Sequence, residues 1–182
     1  MGRNIEIKAR IESVESLLPK ARALADGDAE IIDQDDSFFV VPHGRLKLRQ
    51  FADGTAELIH YHRPDSGEPK ASDYVRVPAP DPAALREALT RAIGLLGRVR
   101  KRRWLLLAGQ TRIHLDLVEG LGDFMELEVV LREGQDDAAG VHIAQTLMRD
   151  LGLAHAPRLA GAYLDLLRLI DGPSAQVAAV AN

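Results

Sequence analysis

The chain has 182 residues, of which 46% are hydrophobic and 27% are charged, and this composition fits one globular domain with a sizeable core. It contains no cysteine, which excludes a disulfide framework, thiolate metal sites and a cysteine nucleophile. The net charge of −4 argues against a nucleic-acid-binding protein. No apolar run approaches the roughly 20 residues of a membrane span and the first residues lack a secretory signal, so we expect a cytoplasmic protein that binds neither nucleic acid nor membrane.

The first segment, residues 4–12, alternates apolar and polar side chains and predicts a β-strand. Ser13 can cap a helix that follows it and extends to about residue 25, and Pro19 within that helix is expected to delay its start or kink it. Residues 30–41 predict a second strand. The chain therefore opens with a strand, a helix and a strand.

The middle of the chain predicts strands joined by short turns. Residues 45–51 alternate strongly, the Asp-Gly pair that follows is typical of a hairpin turn, and residues 57–63 form the returning strand. After a loop, residues 71–77 predict another strand and residues 80–93 a helix. Short turns of this kind indicate that the strands are mostly antiparallel.

The second half adds strands at residues 98–107, 110–118 and 123–132, and helices at about residues 141–151 and 158–170. About eight strands and four helices are therefore expected, which is an α+β fold. No repeat and no linker rich in Gly, Ser or Pro divides the chain, so we expect a single domain over residues 1–171. The small, unpatterned residues 172–182 predict a flexible tail.

Charge is concentrated on one face of these strands, opposite an apolar face. The charged faces carry nine basic and five acidic residues, an excess of four positive charges in a chain whose net charge is −4. The basic residues are Lys8, Arg10, Arg45, Lys47, Arg49, Arg63, Lys101, Arg103 and Arg112. The acidic residues are Glu6, Glu57, Asp116, Glu126 and Glu128.

Two interpretations of these faces stay open on the sequence. They are either the solvated side of an open antiparallel sheet or the lining of a closed barrel whose apolar outer face is covered by helices. A buried excess of lysine and arginine is costly unless a polyanion neutralises it, so a closed lumen would suit a polyphosphate bridged by a divalent metal ion. Glu126 and Glu128, about 7 Å apart on one side of a strand, favour the lumen because a cation could separate them.

Five short motifs occur in an order that resembles a known superfamily. They are Ile5-Glu6-Ile7-Lys8, Leu46-Lys47-Leu48-Arg49, Val99-Arg100-Lys101-Arg102-Arg103, His114-Leu115-Asp116 and Glu126-Leu127-Glu128. Over about residues 3–168 the ordered set resembles the CYTH superfamily, or triphosphate tunnel metalloenzymes, which includes class IV adenylyl cyclases, thiamine triphosphatases and inorganic triphosphatases. Residues 61–65, 70–74 and 119–124 are most similar to the class IV cyclase branch.

The resemblance implies a closed antiparallel barrel of about eight strands around a tunnel with a charged lumen, helices packed outside, and a requirement for Mg²⁺ or Mn²⁺. It implies an enzyme that acts on a small-molecule triphosphate, either a cyclase that converts ATP to cyclic AMP and pyrophosphate or a triphosphatase for inorganic, thiamine or nucleoside triphosphate. The family's opening motif is Glu-x-Glu-x-Lys, and Asn4 stands here for its first Glu. That departure keeps open a sensor that binds a triphosphate with weak turnover. A homodimer is plausible for the family.

Matched motif by motif, the resemblance also implies roles for individual residues. Glu6, Glu126 and Glu128 would hold the metal, with Asp116 assisting directly or through water. The catalytic residues would be Lys8, Lys101 and Arg103. Substrate binding is assigned to Arg10, Arg45, Lys47, Arg49, Arg63, Arg112 and Tyr163, and for Tyr163 a packing role is weighed against closure of one mouth.

Overall fold

Alternating side chains give the described part of this chain eight β-strands, and each strand pairs antiparallel with its neighbours in a computed structural model. The structure describes residues 2–62 and 70–171, so the predicted substrate-binding Arg63 and the tail at 172–182 lie outside the described residues. The strands are β1 Gly2–Arg10, β2 Glu30–Phe39, β3 Arg45–Phe51, β4 Ala56–His62, β5 Lys70–Pro78, β6 Leu95–Ala108, β7 Thr111–Val118 and β8 Gly122–Val130. The helices are α1 Val14–Leu24, α2 Pro82–Ile93, α3 Asp137–Asp150 and α4 Tyr163–Asp171.

The strands form a closed barrel in the order β1-β5-β4-β3-β2-β6-β7-β8. Closure depends on β1, which pairs with β5 on one side and with β8 on the other. The predicted α+β barrel is therefore confirmed, and the open-sheet interpretation is wrong. Because β1 and β8 are adjacent, Glu6 lies opposite Glu128 and Lys8 opposite Glu126.

The apolar outer face of the barrel is partly covered by helices. Ile5 and Ile7 of β1 belong to one core cluster with residues of α1 and α3, and Leu48 of β3 packs in a second cluster with residues of α2. At one end of the barrel, Tyr163 and Leu164 of α4 join a third cluster. The helices cover only part of this apolar outer side, since Val75 and Val77 of β5 stay exposed, and the charged sides of the strands face one another across the interior. No helix within 2–62 and 70–171 is long and apolar enough to cross a membrane.

The helices begin two to five residues away from the predicted starts at α2, α3 and α4. The capping prediction at Ser13 is confirmed, since its side chain accepts a hydrogen bond from the Ser16 N–H, and α1 continues through Pro19. The last helix begins later than residue 158. Gly161 has a φ of +78°, outside the helical region, and the Asp165 carboxylate accepts the Ala162 N–H, so the helix starts only at Tyr163.

Candidate functional site

The inner faces of the strands enclose a strongly charged cavity. Among the described residues its lining includes six cationic side chains, four carboxylates and one histidine, so positive charge dominates. The cations are Lys8, Lys47, Arg49, Arg76, Lys101 and Arg103. The carboxylates are Glu6, Asp36, Glu126 and Glu128, and the histidine is His114.

One group of cations surrounds the carboxylate of Asp36 on β2. Arg49 donates from Nε to Oδ1 over 2.7 Å and from Nη2 to Oδ2 over 2.8 Å. Lys47 donates from Nζ to Oδ2 over 3.0 Å, and Lys101 from β6 reaches the same oxygen over 3.3 Å. Asp36 is only 1% exposed, so three cations from two strands meet on one buried carboxylate. We call Asp36, Lys47, Arg49 and Lys101 the cation cluster.

Burial and crowding change the acidity of these groups. Burial lowers the pKa of Lys101 to about 7 and that of Lys47 to about 8; Asp36 opposes both shifts, and the neighbouring Arg49 adds to them. Burial by itself would raise the pKa of Asp36, but the three cations hold it well below its usual value. Asp36 is therefore an anion at neutral pH, whereas the two lysines are poised to gain or lose a proton there.

Carboxylates dominate the opposite wall, where β1 meets β8. Glu126 Oε1 lies 3.5 Å from Lys8 Nζ, and Glu126 Oε2 lies 3.2 Å from Arg103 Nη2. Glu128 Oε1 lies 3.2 Å from Arg112 Nη1 and also accepts a hydrogen bond from the Asn4 amide. Burial would raise the pKa of Glu128, but His114 and Arg112 hold it below its usual value. We call Glu6, Glu126 and Glu128 the carboxylate patch.

His114 lies beside this patch, on β7. Its Nδ1 is 3.8 Å from Glu126 Oε2 and its Nε2 is 3.8 Å from Glu128 Oε2. Burial lowers the pKa of His114, and repulsion by Arg103 adds to the shift. His114 therefore lies within reach of both glutamates, and its burial favours the neutral form of the imidazole.

Asp116 lies behind the cavity wall, where it holds Arg103. It is fully buried and receives two hydrogen bonds from Arg103, at 2.7 and 2.6 Å, and a third from the Tyr163 hydroxyl at 2.9 Å. Burial would lower the pKa of Arg103, but Asp116 and Glu126 raise it above its usual range. Arg103 is therefore a fixed cation that joins Asp116 to the carboxylate patch. A direct role of Asp116 on a metal stays a prediction.

Tyr163 of α4 lines the cavity and packs against its neighbours there. Its ring lies under Lys8, whose Nζ is 4.0 Å from the ring centroid, and Lys101 Nζ is 5.8 Å from it. The ring of Phe124 packs against it at 4.9 Å between centroids. These contacts show a packing role for Tyr163, and its closure of one mouth stays a prediction.

Three predicted substrate-binding residues are absent from the cavity lining formed by the described residues. Arg10 is exposed, donates to the Leu121 carbonyl over 2.9 Å and stacks on Phe124. Arg45 is bound to Asp165 of α4 over 2.7 Å, and Arg112 contacts Glu128. Their binding roles stay predictions.

The sequence-based prediction assigned no site role to five charged or polar residues that line the cavity: Asp36, Tyr61, Tyr74, Arg76 and His114. His114 lies on β7 between Arg112 and Asp116, both of which were singled out, so the same alternation could have found it. Asp36 is harder to recognise, because Asp33, Asp35 and Asp36 place carboxylates on both faces of β2.

The donor set of the carboxylate patch fits a hard divalent cation. Carboxylate and amide oxygens are the ligands that Mg²⁺ and Mn²⁺ prefer, and the buried Asn4 Oδ1 has no hydrogen-bond partner among the described residues. Within 2–62 and 70–171 no three Asp, Glu or His side chains are gathered so as to hold a metal ion by themselves.

Comparison with known proteins places this geometry in a family. The CYTH domain model matches residues 2–163, and no curated protein is significantly similar in sequence. The fold is similar to the PH1012 protein of Pyrococcus horikoshii OT3, with 25% identity, a TM-score of 0.81 and coverage of 91% of this chain and 99% of that one.

Two further solved structures share the fold at lower identity. One is a Vibrio parahaemolyticus protein provisionally named an adenylate cyclase, with 18% identity, a TM-score of 0.74 and coverage of 90% and 97%. The other is HpAC1 from Hippeastrum, provisionally named an adenylyl cyclase and described as having a dominant triphosphatase activity, with 16% identity, a TM-score of 0.66 and coverage of 91% and 95%. On the family match, which spans nearly the whole chain, this protein belongs to the CYTH domain family.

Proposed function

We propose that this protein is a divalent-metal-dependent enzyme that acts on a triphosphate, and that its reaction is the conversion of ATP to cyclic AMP and pyrophosphate. The observation that carries the proposal is the division of the cavity into two walls. A cation cluster lies on β2, β3 and β6, and a carboxylate patch lies on β1 and β8. A polyphosphate bridged by a divalent ion presents negative oxygens to the first wall and a cation to the second.

The chain's own residues would bind and orient the phosphate chain. Triphosphate tunnel metalloenzymes use divalent metals; when bound, such an ion shields phosphate charge and lowers the pKa of an oxygen nucleophile. Lys8, Lys101 and Arg103 line the cavity and can contact phosphate oxygens as negative charge shifts to the leaving group. Glu6, Glu126 and Glu128 would hold the metal. Phosphoryl chemistry depends mainly on such positioning and charge neutralisation.

In the proposed reaction the ribose 3′-oxygen forms a bond to the α-phosphorus. The bond from that phosphorus to the bridging oxygen of the β-phosphate breaks, pyrophosphate leaves, and the hydroxyl proton is released to solvent. A cyclase reaction requires a binding site for the nucleoside next to the phosphate cavity. A depression that shares Phe38 and Ala162 with the cavity supports it, because its lining adds apolar side chains of Phe39, Val40 and Leu96 to the charged pair Arg45 and Asp165.

Triphosphate hydrolysis is the second candidate, and the dominant triphosphatase activity described for the Hippeastrum protein favours it. The same clamp could serve either reaction, since the difference lies in which phosphorus faces the nucleophile. In hydrolysis a water oxygen attacks the terminal phosphorus and orthophosphate is released. A third outcome, binding without turnover, is motivated by Asn4, which offers a neutral amide in place of the family's first Glu.

A product assay tests the proposal. The purified protein is incubated with ATP, GTP, thiamine triphosphate or tripolyphosphate, each with Mg²⁺ or Mn²⁺, and the products are resolved by chromatography and ³¹P NMR. We expect cyclic AMP and pyrophosphate in equal amounts from ATP. Orthophosphate release would establish the hydrolase instead, and saturable binding without product would establish the sensor. Neither binding nor turnover of any triphosphate would overturn the proposed function.

A further inference from the structure

The cation cluster is organised by a residue whose charge has the same sign as the ligand. Asp36 is almost fully buried, lines the cavity, and receives four hydrogen bonds from Lys47, Arg49 and Lys101. Simple electrostatics predicts that a buried carboxylate weakens the binding of an anion beside it. The contacts indicate the opposite effect, because this carboxylate is what holds the three cations together.

We propose that Asp36 is a positioning residue of the phosphate-binding site. Asp36 holds Lys47, Arg49 and Lys101 together in one site and thereby strengthens triphosphate binding despite its own negative charge. The inference rests on the proposed function, since it concerns the same site. Arg49 is fixed by a two-pronged contact, which sets the plane of its guanidinium group, and the two lysines share the oxygen Oδ2. Their ammonium groups therefore converge on one point of the cavity.

Asp36 also affects the protonation of Lys47 and Lys101, because it is the carboxylate that each of them contacts. Lys101 is faced by Asp36 from β2, by Lys47 and Arg49 from β3, by Arg103 of its own strand, by Asp116 from β7 and by the Tyr163 ring from α4. Lys47 is faced by Asp36, Arg49 and Arg103, and lies 5.6 Å from the centroids of the Phe38 and Tyr61 rings. Without Asp36, each lysine keeps its cationic neighbours and loses the carboxylate it contacts.

The sign of the pH effect follows from these neighbours. Burial already lowers the pKa of Lys101 to about 7, and loss of an attracting carboxylate lowers it further. For a fall of about one unit, the protonated fraction drops roughly tenfold at pH 8 but only about twofold at pH 6. Removal of Asp36 is therefore expected to weaken anion binding strongly at pH 8 and slightly at pH 6.

The test is the variant Asp36→Asn, with tripolyphosphate as the probe and EDTA present so that no metal contributes. Binding is measured by titration calorimetry from pH 6 to pH 9. We expect about tenfold weaker binding than in the unaltered protein at pH 8 and about twofold weaker binding at pH 6. Asp33→Asn is the matched control, since Asp33 lies on the same strand but pairs with Arg102 on the outer face. Its affinity should stay within about twofold of the unaltered protein.

Equal or tighter binding by Asp36→Asn at pH 8 would overturn the inference, as would a loss of the same size at every pH. Lysine side-chain NMR of the ligand-free proteins gives an independent readout, in which the midpoints of Lys47 and Lys101 should move to lower pH in the variant. If the unaltered protein binds no tripolyphosphate, the proposed function fails, whereas unchanged lysine midpoints refute the role of Asp36 alone. Should Asp36→Asn fail to fold, Asp36→Glu, which keeps the charge but displaces the carboxylate by one methylene, is measured instead, and binding as tight as that of the unaltered protein refutes the positioning role.

Discussion

Glu126 is the residue of the carboxylate patch that contacts two cations of the cavity lining. It contacts Lys8 and Arg103, and its Oε2 lies 3.8 Å from His114 Nδ1. Removal of its charge takes one ligand from the proposed metal site and leaves two buried cations with a weaker partner. The first effect acts on the bound triphosphate and its transition state and lowers the rate, whereas the second lowers the stability of the folded protein.

Glu126→Gln is expected to lower metal-dependent turnover by roughly tenfold or more, because loss of a metal ligand removes part of the stabilisation of the phosphate charge. Initial rates measured against Mn²⁺ concentration check this. Glu133→Gln is the control, since Glu133 is an exposed residue of the loop between β8 and α3. Full retention of the rate and of its Mn²⁺ dependence in Glu126→Gln would exclude Glu126 from the metal site.

At the residue scale, alternation predicted much of the candidate site but not its organisation. Alternation places five residues on the charged faces of their strands, and all five line the cavity: Lys8, Lys47, Lys101, Arg103 and Glu126. The partners across the barrel could not be read in the same way, since pairing between strands distant in sequence depends on the closed topology. Asp36 and the cations around it are separated by 11 to 65 residues along the chain.

At the element scale, strand and helix types were largely predictable because period-two and helical patterns are strong here. The eight strands and four helices follow the predicted order, with boundary differences such as the start of β6 at Leu95 instead of residue 98. The strand order was not predictable from pattern alone, because β6 pairs with β2 and β1 with β8. Those two pairings join segments far apart in sequence, and the first of them brings Lys101 to Asp36.

Helix α3 packs on β1 through a glycine. A Cβ at Gly140 would lie 2.6 Å from Ile5 Cγ1 and 2.7 Å from Leu131 Cδ2, closer than side chains tolerate. Ile5 is 1% exposed and shares the main core cluster with Ala144 and Met148 of α3. Because Ile5 lies on the strand that closes the barrel, the contact of α3 with β1 supports the wall that carries Glu6 and Lys8.

Gly140→Ala is expected to lower the free energy of unfolding by about 1–3 kcal/mol through overpacking, although alanine has the better helix propensity by about 1 kcal/mol. The two effects have opposite signs, so the direction of the change decides between them. Urea unfolding followed by circular dichroism measures it. The control Ala139→Gly, at an exposed position of the same helix, should show the propensity effect alone. A Gly140→Ala variant that is more stable would mean that α3 does not pack this closely on β1.

At the scale of the whole molecule, the protein separates charge between its interior and the rest of its surface. The chain carries a net charge of −4, yet cations outnumber carboxylates by two among the described residues that line the cavity. Like charges held inside a closed barrel destabilise the folded state unless they are neutralised. A bound polyanion relieves this repulsion, and it binds the folded barrel in preference to the unfolded chain, whose charges are dispersed. Ligand binding should therefore strongly stabilise the folded state. The homodimer expected from the family stays a prediction.

Tripolyphosphate is therefore expected to raise the melting temperature of the protein even with EDTA present. At a concentration one hundred times its dissociation constant it adds about 2.7 kcal/mol, which for a chain of this length corresponds to roughly 5–11 °C. Differential scanning calorimetry measures the shift, and sodium chloride at matched ionic strength controls for screening. Lys101→Met should reduce the shift, whereas Lys20→Met, an exposed site on α1, should not. A melting temperature that tripolyphosphate leaves unchanged would show that the cavity is not a polyanion site, since binding to the folded state alone must stabilise it.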